Sequence, residues 1–196
     1  MIIVLSGPSG SGKSTLVAKL LQSAAGFCES ISYTTRTIRN SEESGVDYYY
    51  VSEDEFDKMV EQGQFIEWVR IYNNRYGTSA EKLQQMVAEK KDVVFDIDTA
   101  GALNIKKLFP ESILIYILPP TLEILKKRLA DRRTEDEETI NLRFSNARKE
   151  IVFAGKYDYL IFNDELEKAF ATLNSIIIAE KCRIKNNIEP LNKFEE

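Results

Sequence analysis

The 196-residue sequence contains no histidine, and that absence excludes two large classes of active site. Histidine general-base catalysis and histidine-ligated zinc both require the imidazole ring. Only two cysteines occur, Cys28 and Cys182, and they lie far apart without the spacing of a metal site. We expect two buried thiols rather than a disulfide. Any catalytic machinery in this chain therefore consists of other residue types.

The sequence also lacks the apolar segments of exported and membrane proteins. Its first apolar run, residues 2–5, has no preceding Lys or Arg and ends at residues 6–8, Ser-Gly-Pro, so it is too short for a signal peptide. No run approaches the roughly 20 apolar residues that span a bilayer. The net charge of −5 indicates no basic footprint for nucleic acid. We expect a cytoplasmic protein that acts without nucleic acid or membrane.

The N-terminus contains a phosphate-binding loop. Residues 7–14 follow the pattern G-x-x-x-x-G-K-S, directly after an apolar run and before a helix-forming stretch. In such a loop the backbone N–H groups point at polyphosphate oxygens, and the helix adds the positive end of its dipole. We expect Lys13 to reach the β- and γ-phosphates and Ser14 to bind Mg²⁺. A chance glycine-rich turn is the alternative, which the strand-then-helix context disfavours.

The residues of this loop and of the first helical turn form the predicted triphosphate site. They are Gly7, Ser9, Gly10, Ser11, Gly12, Lys13, Ser14 and Thr15. The pattern predicts binding of a nucleoside triphosphate with Mg²⁺.

Strands and helices alternate along the rest of the chain. Residues 93–95 and 113–118 are continuous apolar runs, as expected for parallel strands covered on both faces, and residues 159–162 form a last strand. A segment of mixed character, about residues 33–80, interrupts the alternation. The pattern predicts one α/β domain over residues 1–196, with a parallel sheet flanked by helices. Within the mixed segment, Ser52 and Glu55 predict a capping box at the start of a helix.

Charged residues are dense between Arg128 and Glu150. They are consistent with a solvated helix face. A mobile lid that carries guanidinium groups over transferring phosphates is the alternative, which charge alone favours less. The charge pattern leaves both interpretations open.

Residues 32–39, followed by residues 45–48, resemble the S-x-T-T-R-x-x-R…G-x-D-Y signature of guanylate kinases. Further pieces similar to that family occur in its order and spacing, and together they cover nearly the whole chain: residues 65–68, 76–79, 95–98 and 132–135, Arg143, and Asn163 with Asp164. Each piece alone is weak evidence, whereas the set is specific.

The resemblance implies a P-loop NTPase fold with three functional parts. These are a core of residues 1–32, 81–125 and 154–196, a GMP-binding subdomain of residues 33–80, and a lid of residues 126–153. It implies Mg²⁺-dependent transfer of the γ-phosphoryl group of ATP to GMP or dGMP. The small-molecule partners are then ATP and GMP, and the protein is a monomer or a homodimer.

The resemblance also implies how the guanine base is read. Guanine presents two adjacent donors, N1–H and the N2 amine, and one carboxylate can accept both. Glu67 is the candidate, with Ser32 and Thr78 as hydroxyl contacts and Asp98 as a second carboxylate. Glu67 shares a strand face with apolar residues, which is unusual for a charge. Its periodicity alone fits an edge strand with Glu67 in water equally well.

The acceptor phosphate, the donor base and the reacting phosphoryl group have their own implied residues. Guanidinium forks and phenol hydroxyls suit a phosphate, and motif position assigns Arg36, Arg39, Tyr48 and Tyr76 to it. Without the resemblance, surface arginines and packed tyrosines are the simpler interpretation. The family's catalytic cations correspond to Lys13, Arg39, Arg132 and Arg143, its adenine contacts to Asn163 and Asp164, and its carboxylate near the water shell of the metal to Asp96.

The chain departs from the family pattern at five positions. Where the family usually has Gly, Gln, Tyr, Pro and Gly, this sequence has Arg133, Ala100, Arg75, Ile38 and Ser41 respectively. None of these is an implied catalytic residue. Two other functions remain as alternatives: a guanylate-kinase-like module that binds peptides, and a kinase for another nucleoside monophosphate.

Overall fold

The structure is a computed structural model that describes residues 1–23, 26–40, 42–71, 73–131 and 137–187, except for the side chains of residues 137–139. The strands are β1 Ile2–Ser6, β2 Phe27–Glu29, β3 Tyr33–Thr34, β4 Tyr49–Tyr50, β5 Phe65–Ile71, β6 Asn74–Ser79, β7 Asp92–Asp96, β8 Ile113–Leu118 and β9 Tyr159–Phe162. The α-helices are α1 Lys13–Ser23, α2 Glu53–Glu61, α3 Ala80–Ala88, α4 Thr99–Leu108, α5 Leu122–Ala130, α6 Glu137–Ile151 and α7 Leu166–Lys181. Two 3₁₀ turns span Val152–Lys156 and Ile184–Asn186.

A five-stranded parallel sheet organises the fold, in the order β2-β7-β1-β8-β9. All six residues of β8 are buried, which explains its unbroken apolar sequence. Leu5 of β1 pairs with Asp96 of β7, and Ser6 pairs with Tyr116 of β8. The carboxyl ends of the central strands therefore lie side by side, where ligands bind in open α/β sheets. The predicted α/β fold is confirmed.

Helices cover both faces of this sheet. On one face α1 and α7 pack through buried residues such as Leu16, Leu20 and Leu173. On the other face α3 and α4 pack through Leu83 and Ile105. Of the described helices, none is long and apolar enough to cross a membrane.

A second sheet, in the order β4-β3-β6-β5, lies within the segment that the sequence marks as mixed. It combines parallel pairing of β3 with β4 and antiparallel pairing of β6 with β3 and β5. The predicted capping box is present at the start of α2, where Ser52 and Glu55 each accept a hydrogen bond from the other's backbone N–H.

Phe56 of α2 forms the centre of an aromatic cluster that joins α2 to the second sheet. Its ring is fully buried, stacks on Phe65 at 4.5 Å, and meets the edge of Trp68 at 6.2 Å. The guanidinium of Arg75 lies 4.6 Å from the same ring and pairs with Asp57 at 2.5 Å. Arg75, one of the departures from the family pattern, therefore helps to join α2 to the second sheet through its contacts with Phe56 and Asp57.

The two cysteines differ from the expectation. Both are free, as predicted, but Cys28 is only half-buried and Cys182 is exposed. Cys182 caps the C-terminus of α7, beyond the last turn that packs on the sheet. The prediction of two buried thiols was therefore wrong.

We expect Phe56→Ala to lower the free energy of unfolding by about 3–5 kcal/mol, because it leaves a cavity between α2 and the second sheet. Urea unfolding followed by circular dichroism measures the change. Val87→Ala is the matched control, since Val87 is 48% exposed on α3, and we expect it to change stability by no more than about 0.5 kcal/mol. Similar losses in the two variants would contradict the role of the cluster.

Candidate active site

The phosphate-binding loop connects β1 to α1, and its glycines are required by its shape. Gly7, Gly10 and Gly12 have φ values of 143°, 86° and 89°. A Cβ on Gly7 would lie 2.2 Å from the carbonyl oxygen of Ile117, and a Cβ on Gly12 would lie 2.2 Å from Nδ2 of Asn163. Only glycine fits both the backbone conformation and the space.

Lys13 and Ser14 follow the loop in the first turn of α1. The Lys13 ammonium donates to the carbonyl oxygens of Gly7 at 2.7 Å and Pro8 at 3.4 Å, so it spans the mouth of the loop. The Ser14 hydroxyl donates to Oδ2 of Asp96 at 2.5 Å. The sequence-predicted Lys13, Ser14 and Asp96 are therefore brought together.

The pair formed by Ser14 and Asp96 suits a magnesium ion. A hydroxyl and a carboxylate are the hard oxygen ligands that Mg²⁺ prefers. In the described part of the chain, no group of three or more His, Cys, Asp and Glu side chains could hold a metal ion by itself. A kinase magnesium site usually takes one or two protein ligands and completes its shell with phosphate oxygens and water, and these residues fit that arrangement.

A cavity of about 310 Å³ lies beside the loop. Thr15, Arg128, Asn163, Asp164 and Leu166 line it together with Gly10 and Gly12. The buried amide of Asn163 donates to the Ser11 carbonyl at 2.8 Å and so anchors the loop. Arg128 donates to the carbonyl of Asp164 at 3.3 Å. Sequence reasoning missed Arg128 and Leu166 as site residues, although Arg128 begins the charge-dense segment.

Glu67 is buried in the second sheet, where β5 carries a bulge between Phe65 and Glu67. Its Oε1 accepts a hydrogen bond from the Thr78 hydroxyl at 2.7 Å, whereas its buried Oε2 has no partner. Burial raises the pKa of Glu67 to about 7, against the lowering effect of the Thr78 hydrogen bond. Only 8% of the residue is exposed, so Glu67 is not a solvated residue of an edge strand.

Asp98 lies next to Glu67 and caps the N-terminus of α4. Its Oδ1 accepts the Gly101 N–H at 2.7 Å, and burial raises the pKa of this carboxyl. A Cβ on Gly101 would lie 3.3 Å from both Oδ1 of Asp98 and Oε2 of Glu67. The absence of a side chain at Gly101 therefore leaves space for the carboxylates of Asp98 and Glu67. The sequence did not predict this role. Ala100, a departure from the family pattern, is exposed.

The predicted phosphate residues meet around the ring of Tyr48. The Arg36 guanidinium lies 5.4 Å from the Tyr48 ring, and Tyr48 packs edge-on against Tyr76 at 5.8 Å. Arg39 is nearby, with 52% of its side chain exposed. Glu42, which the sequence did not single out, pairs with Arg36 at 2.7 Å and approaches Arg39 at 3.9 Å.

The remaining residues singled out from the sequence lie in several different places. Ser32 is buried directly before β3, and its carbonyl accepts a hydrogen bond from the Tyr49 N–H at 2.9 Å. Arg143 is half-buried on α6, which packs on α5 through Ala147. Ile38 is 46% exposed. Three residues lie outside the described part of the chain: Ser41, Arg132 and Arg133.

The buried charge on Glu67 gives a pH-dependent stability prediction. Since the native pKa of about 7 exceeds the ordinary value of 4.5, stability falls as pH rises through that window, and above it the charge costs about 3 kcal/mol. We expect Glu67→Gln to be more stable than wild type by about 1–3 kcal/mol at pH 8 and equally stable at pH 4. Urea unfolding at both pH values measures this.

The matched control for this prediction is Glu61→Gln, an exposed glutamate at the end of α2. Its stability relative to wild type should not change with pH. Equal stability of Glu67→Gln and wild type at pH 8 would contradict the prediction, because it would show that ionisation of the buried Glu67 carboxylate does not lower the free energy of unfolding.

The chain resembles known proteins over nearly its whole length. The sequence model of the guanylate kinase family matches residues 1–180. The guanylate kinase of Caldanaerobacter subterraneus subsp. tengcongensis is 42% identical over 196 residues, covering 100% of this chain and 95% of that protein. The guanylate kinase of Clostridium tetani is 44% identical over 184 residues, covering 94% of this chain and 88% of that protein. The crystal structure of guanylate kinase from Anaplasma phagocytophilum aligns with a TM-score of 0.79 at 31% identity, covering 93% of this chain and 87% of that one. The chain belongs to the guanylate kinase family.

Proposed function

We propose that this protein transfers the γ-phosphoryl group of ATP to GMP or dGMP, with Mg²⁺, and releases ADP and the guanosine diphosphate. The observation that carries the proposal is the buried Glu67 carboxylate, which has one oxygen without a partner in a chain that also has a complete phosphate-binding loop. A buried acceptor with no donor is costly unless a ligand supplies the donor. Guanine supplies two.

Glu67 selects the base by accepting N1–H and the N2 amine of guanine. Adenine presents no such pair of donors, so it would leave the carboxylate unsatisfied, which gives strong discrimination. Thr78, Ser32 and Asp98 complete the set of polar groups around the base. Gly101 keeps the floor of this site open, because a side chain there would contact both carboxylates.

The phosphate of the acceptor lies between Arg36, Arg39, Tyr48 and Tyr76. Guanidinium groups bind phosphate oxygens with directional, charge-assisted hydrogen bonds, and phenol hydroxyls add further donors. The base and the phosphate of one nucleotide are thus held by two separate groups of side chains. This double anchoring fixes the attacking oxygen in place.

ATP occupies the loop after β1, with its base near Asn163 and Asp164 and its phosphates against the loop N–H groups and Lys13. Ser14 would hold the magnesium ion directly, and Asp96 would hold it through a water molecule. When bound, Mg²⁺ supplies neutralisation of charge on the β- and γ-phosphoryl oxygens. Lys13, Arg39, Arg132 and Arg143 stabilise the charge on the phosphoryl group as it moves.

No general base is needed, because the acceptor is already an anionic phosphate oxygen and the transition state is loose. The absence of histidine is consistent with this chemistry. We propose that residues 33–80 bind GMP, that residues 126–153 close as a lid to exclude water, and that the remaining residues form the core. We also propose that the protein acts in the cytoplasm, as a monomer or a homodimer.

A peptide-binding module of the same fold is the alternative from another functional class. Such a module has no use for a magnesium pair, whereas the Ser14 hydroxyl and the Asp96 carboxylate are 2.5 Å apart. A kinase for another nucleoside monophosphate fits the buried Glu67 carboxylate less well, because guanine alone presents two adjacent donors, N1–H and the N2 amine, to it.

A coupled assay for ADP, with ATP, Mg²⁺ and a panel of GMP, dGMP, AMP, UMP and TMP, tests the function. We expect turnover with GMP and dGMP and none above background with the other three. Omission of Mg²⁺ should abolish the reaction. Pure folded protein that forms no ADP with GMP would contradict the enzyme proposal, and turnover with AMP would contradict the base assignment.

Glu67→Gln should raise the KM for GMP about 100-fold and leave the KM for ATP nearly unchanged, because an amide donor then faces a guanine donor. Steady-state kinetics with each nucleotide varied in turn measures the two constants. Glu61→Gln is again the control and should match wild type. Equal losses for both nucleotides would show that Glu67 does not read the base.

A further inference from the structure

One carboxylate, that of Glu42, contacts both arginines of the predicted acceptor-phosphate site. Its Oε1 accepts from Nη2 of Arg36 at 2.7 Å, and its Oε2 accepts from the backbone N–H of Arg39 at 3.0 Å. Its side chain is only 13% exposed, as is that of Arg36. Glu42 therefore orders the short loop that carries both cations.

The Tyr50 hydroxyl donates a third hydrogen bond to this carboxylate, to Oε2 of Glu42 at 2.7 Å. The ring of Tyr50 also lies 5.8 Å from the Arg36 guanidinium and 6.0 Å from the Tyr48 ring. Tyr50 is the third of three consecutive tyrosines, and in an extended strand it faces the same side as Tyr48. Tyr49 faces the other side, where it stacks on Tyr33 at 4.8 Å.

The charges of this group are fixed over the working pH range. Burial opposes ionisation of Glu42, but hydrogen bonds from Arg36, Tyr50 and Arg39 outweigh it and lower the pKa of Glu42 to about 2. Burial, together with the bond to Glu42, raises the pKa of Tyr50 to about 12. The proton therefore stays on Tyr50, and Glu42 stays an anion.

We propose that Glu42 and Tyr50 are positioning residues for the acceptor phosphate: Tyr50 holds the Glu42 carboxylate, and that carboxylate holds the guanidinium of Arg36 and the backbone of Arg39 in place before the nucleotide arrives. The proposal rests on the proposed function, in which these arginines bind the phosphate of GMP.

The physical reason is preorganisation. Two arginines with no phosphate between them repel each other, and each long side chain loses rotamer freedom when it binds. Arg36 is already held by Glu42, by a hydrogen bond from Nη1 to the Thr37 carbonyl at 3.0 Å, and by the Tyr48 ring. Ordering one such side chain in advance is worth about three- to tenfold in affinity.

Tyr50→Phe is the direct test, because it removes the hydroxyl and keeps the ring against Arg36. We expect the Kd for GMP, measured by calorimetry without ATP, to rise three- to tenfold. The KM for GMP should rise with it, while kcat at saturating GMP and the KM for ATP stay within about twofold. Tyr49→Phe is the matched control: the same change one residue earlier, on the opposite face, should leave the Kd for GMP unchanged.

A double-mutant cycle tests whether Tyr50 acts through Glu42. Glu42→Gln alone should raise the Kd for GMP more than Tyr50→Phe does, because it removes the charge that holds Arg36. Tyr50→Phe added to Glu42→Gln should then cost no more than Glu42→Gln alone. Independent, multiplying losses would overturn the proposed route, and an unchanged Kd in Tyr50→Phe would overturn the positioning role of Tyr50.

The binding measurement separates this inference from the proposed reaction. Wild-type protein that binds GMP without turning it over would contradict the proposed function alone, and the cycle would still decide the roles of Tyr50 and Glu42. Wild-type protein that does not bind GMP would overturn both. Thermal unfolding of each variant checks that lost affinity does not come from a lost fold.

Discussion

The parallel pairing of β1 with β7 determines where the chemistry of this protein lies. Because Leu5 pairs with Asp96, the loop that leaves β1 and the carboxylate that ends β7 emerge at the same edge of the sheet. The Ser14 hydroxyl, in the first turn of α1, then reaches Asp96 at 2.5 Å. The same edge receives Asn163 from the end of β9, which donates to the Ser11 carbonyl at 2.8 Å. The strand register thus assembles a site from residues more than 150 positions apart.

The second constraint is the cost of burying charged groups away from water. The phosphate-binding and base-binding parts of the proposed acceptor site meet this constraint in different ways. At the phosphate end, the Glu42 carboxylate pairs with the buried guanidinium of Arg36, so that cation has a counter-charge within 2.7 Å. At the base end, Glu67 keeps one oxygen without a partner, at a cost in stability. The first arrangement preserves geometry until a phosphate arrives. In the proposed function, the second leaves open a hydrogen bond that guanine would restore, so a cost in stability would become selectivity for the base.

The sequence predicted most of the fold and the motif residues, and what it missed is of one kind. The phosphate loop, the α/β fold and the capping box of α2 depend on local patterns, so they could be read directly. Gly101 and Glu42 act through contacts formed by tertiary packing, and a glycine in a helix or a glutamate in a polar loop carries no local signal. The wrong burial of Cys182 has the same origin, because the helical pattern does not say where the last packed turn ends. Glu67 is intermediate between these two cases, because its position in the strand pattern is compatible both with a solvated side chain and with a buried one.

A short segment of the chain connects the proposed ATP site to the proposed GMP site. Asp96 ends β7 on the donor side, and Asp98, two residues later, caps α4 beside Glu67 on the acceptor side. Asp96 is fixed by the sheet and by Ser14, while Asp98 is fixed by the Gly101 N–H at 2.7 Å. Neither carboxylate can move far without breaking a strand end or a helix start. Phosphoryl transfer depends on alignment more than on acid–base chemistry, so in the proposed function the fixed spacing of these two residues would itself contribute to catalysis.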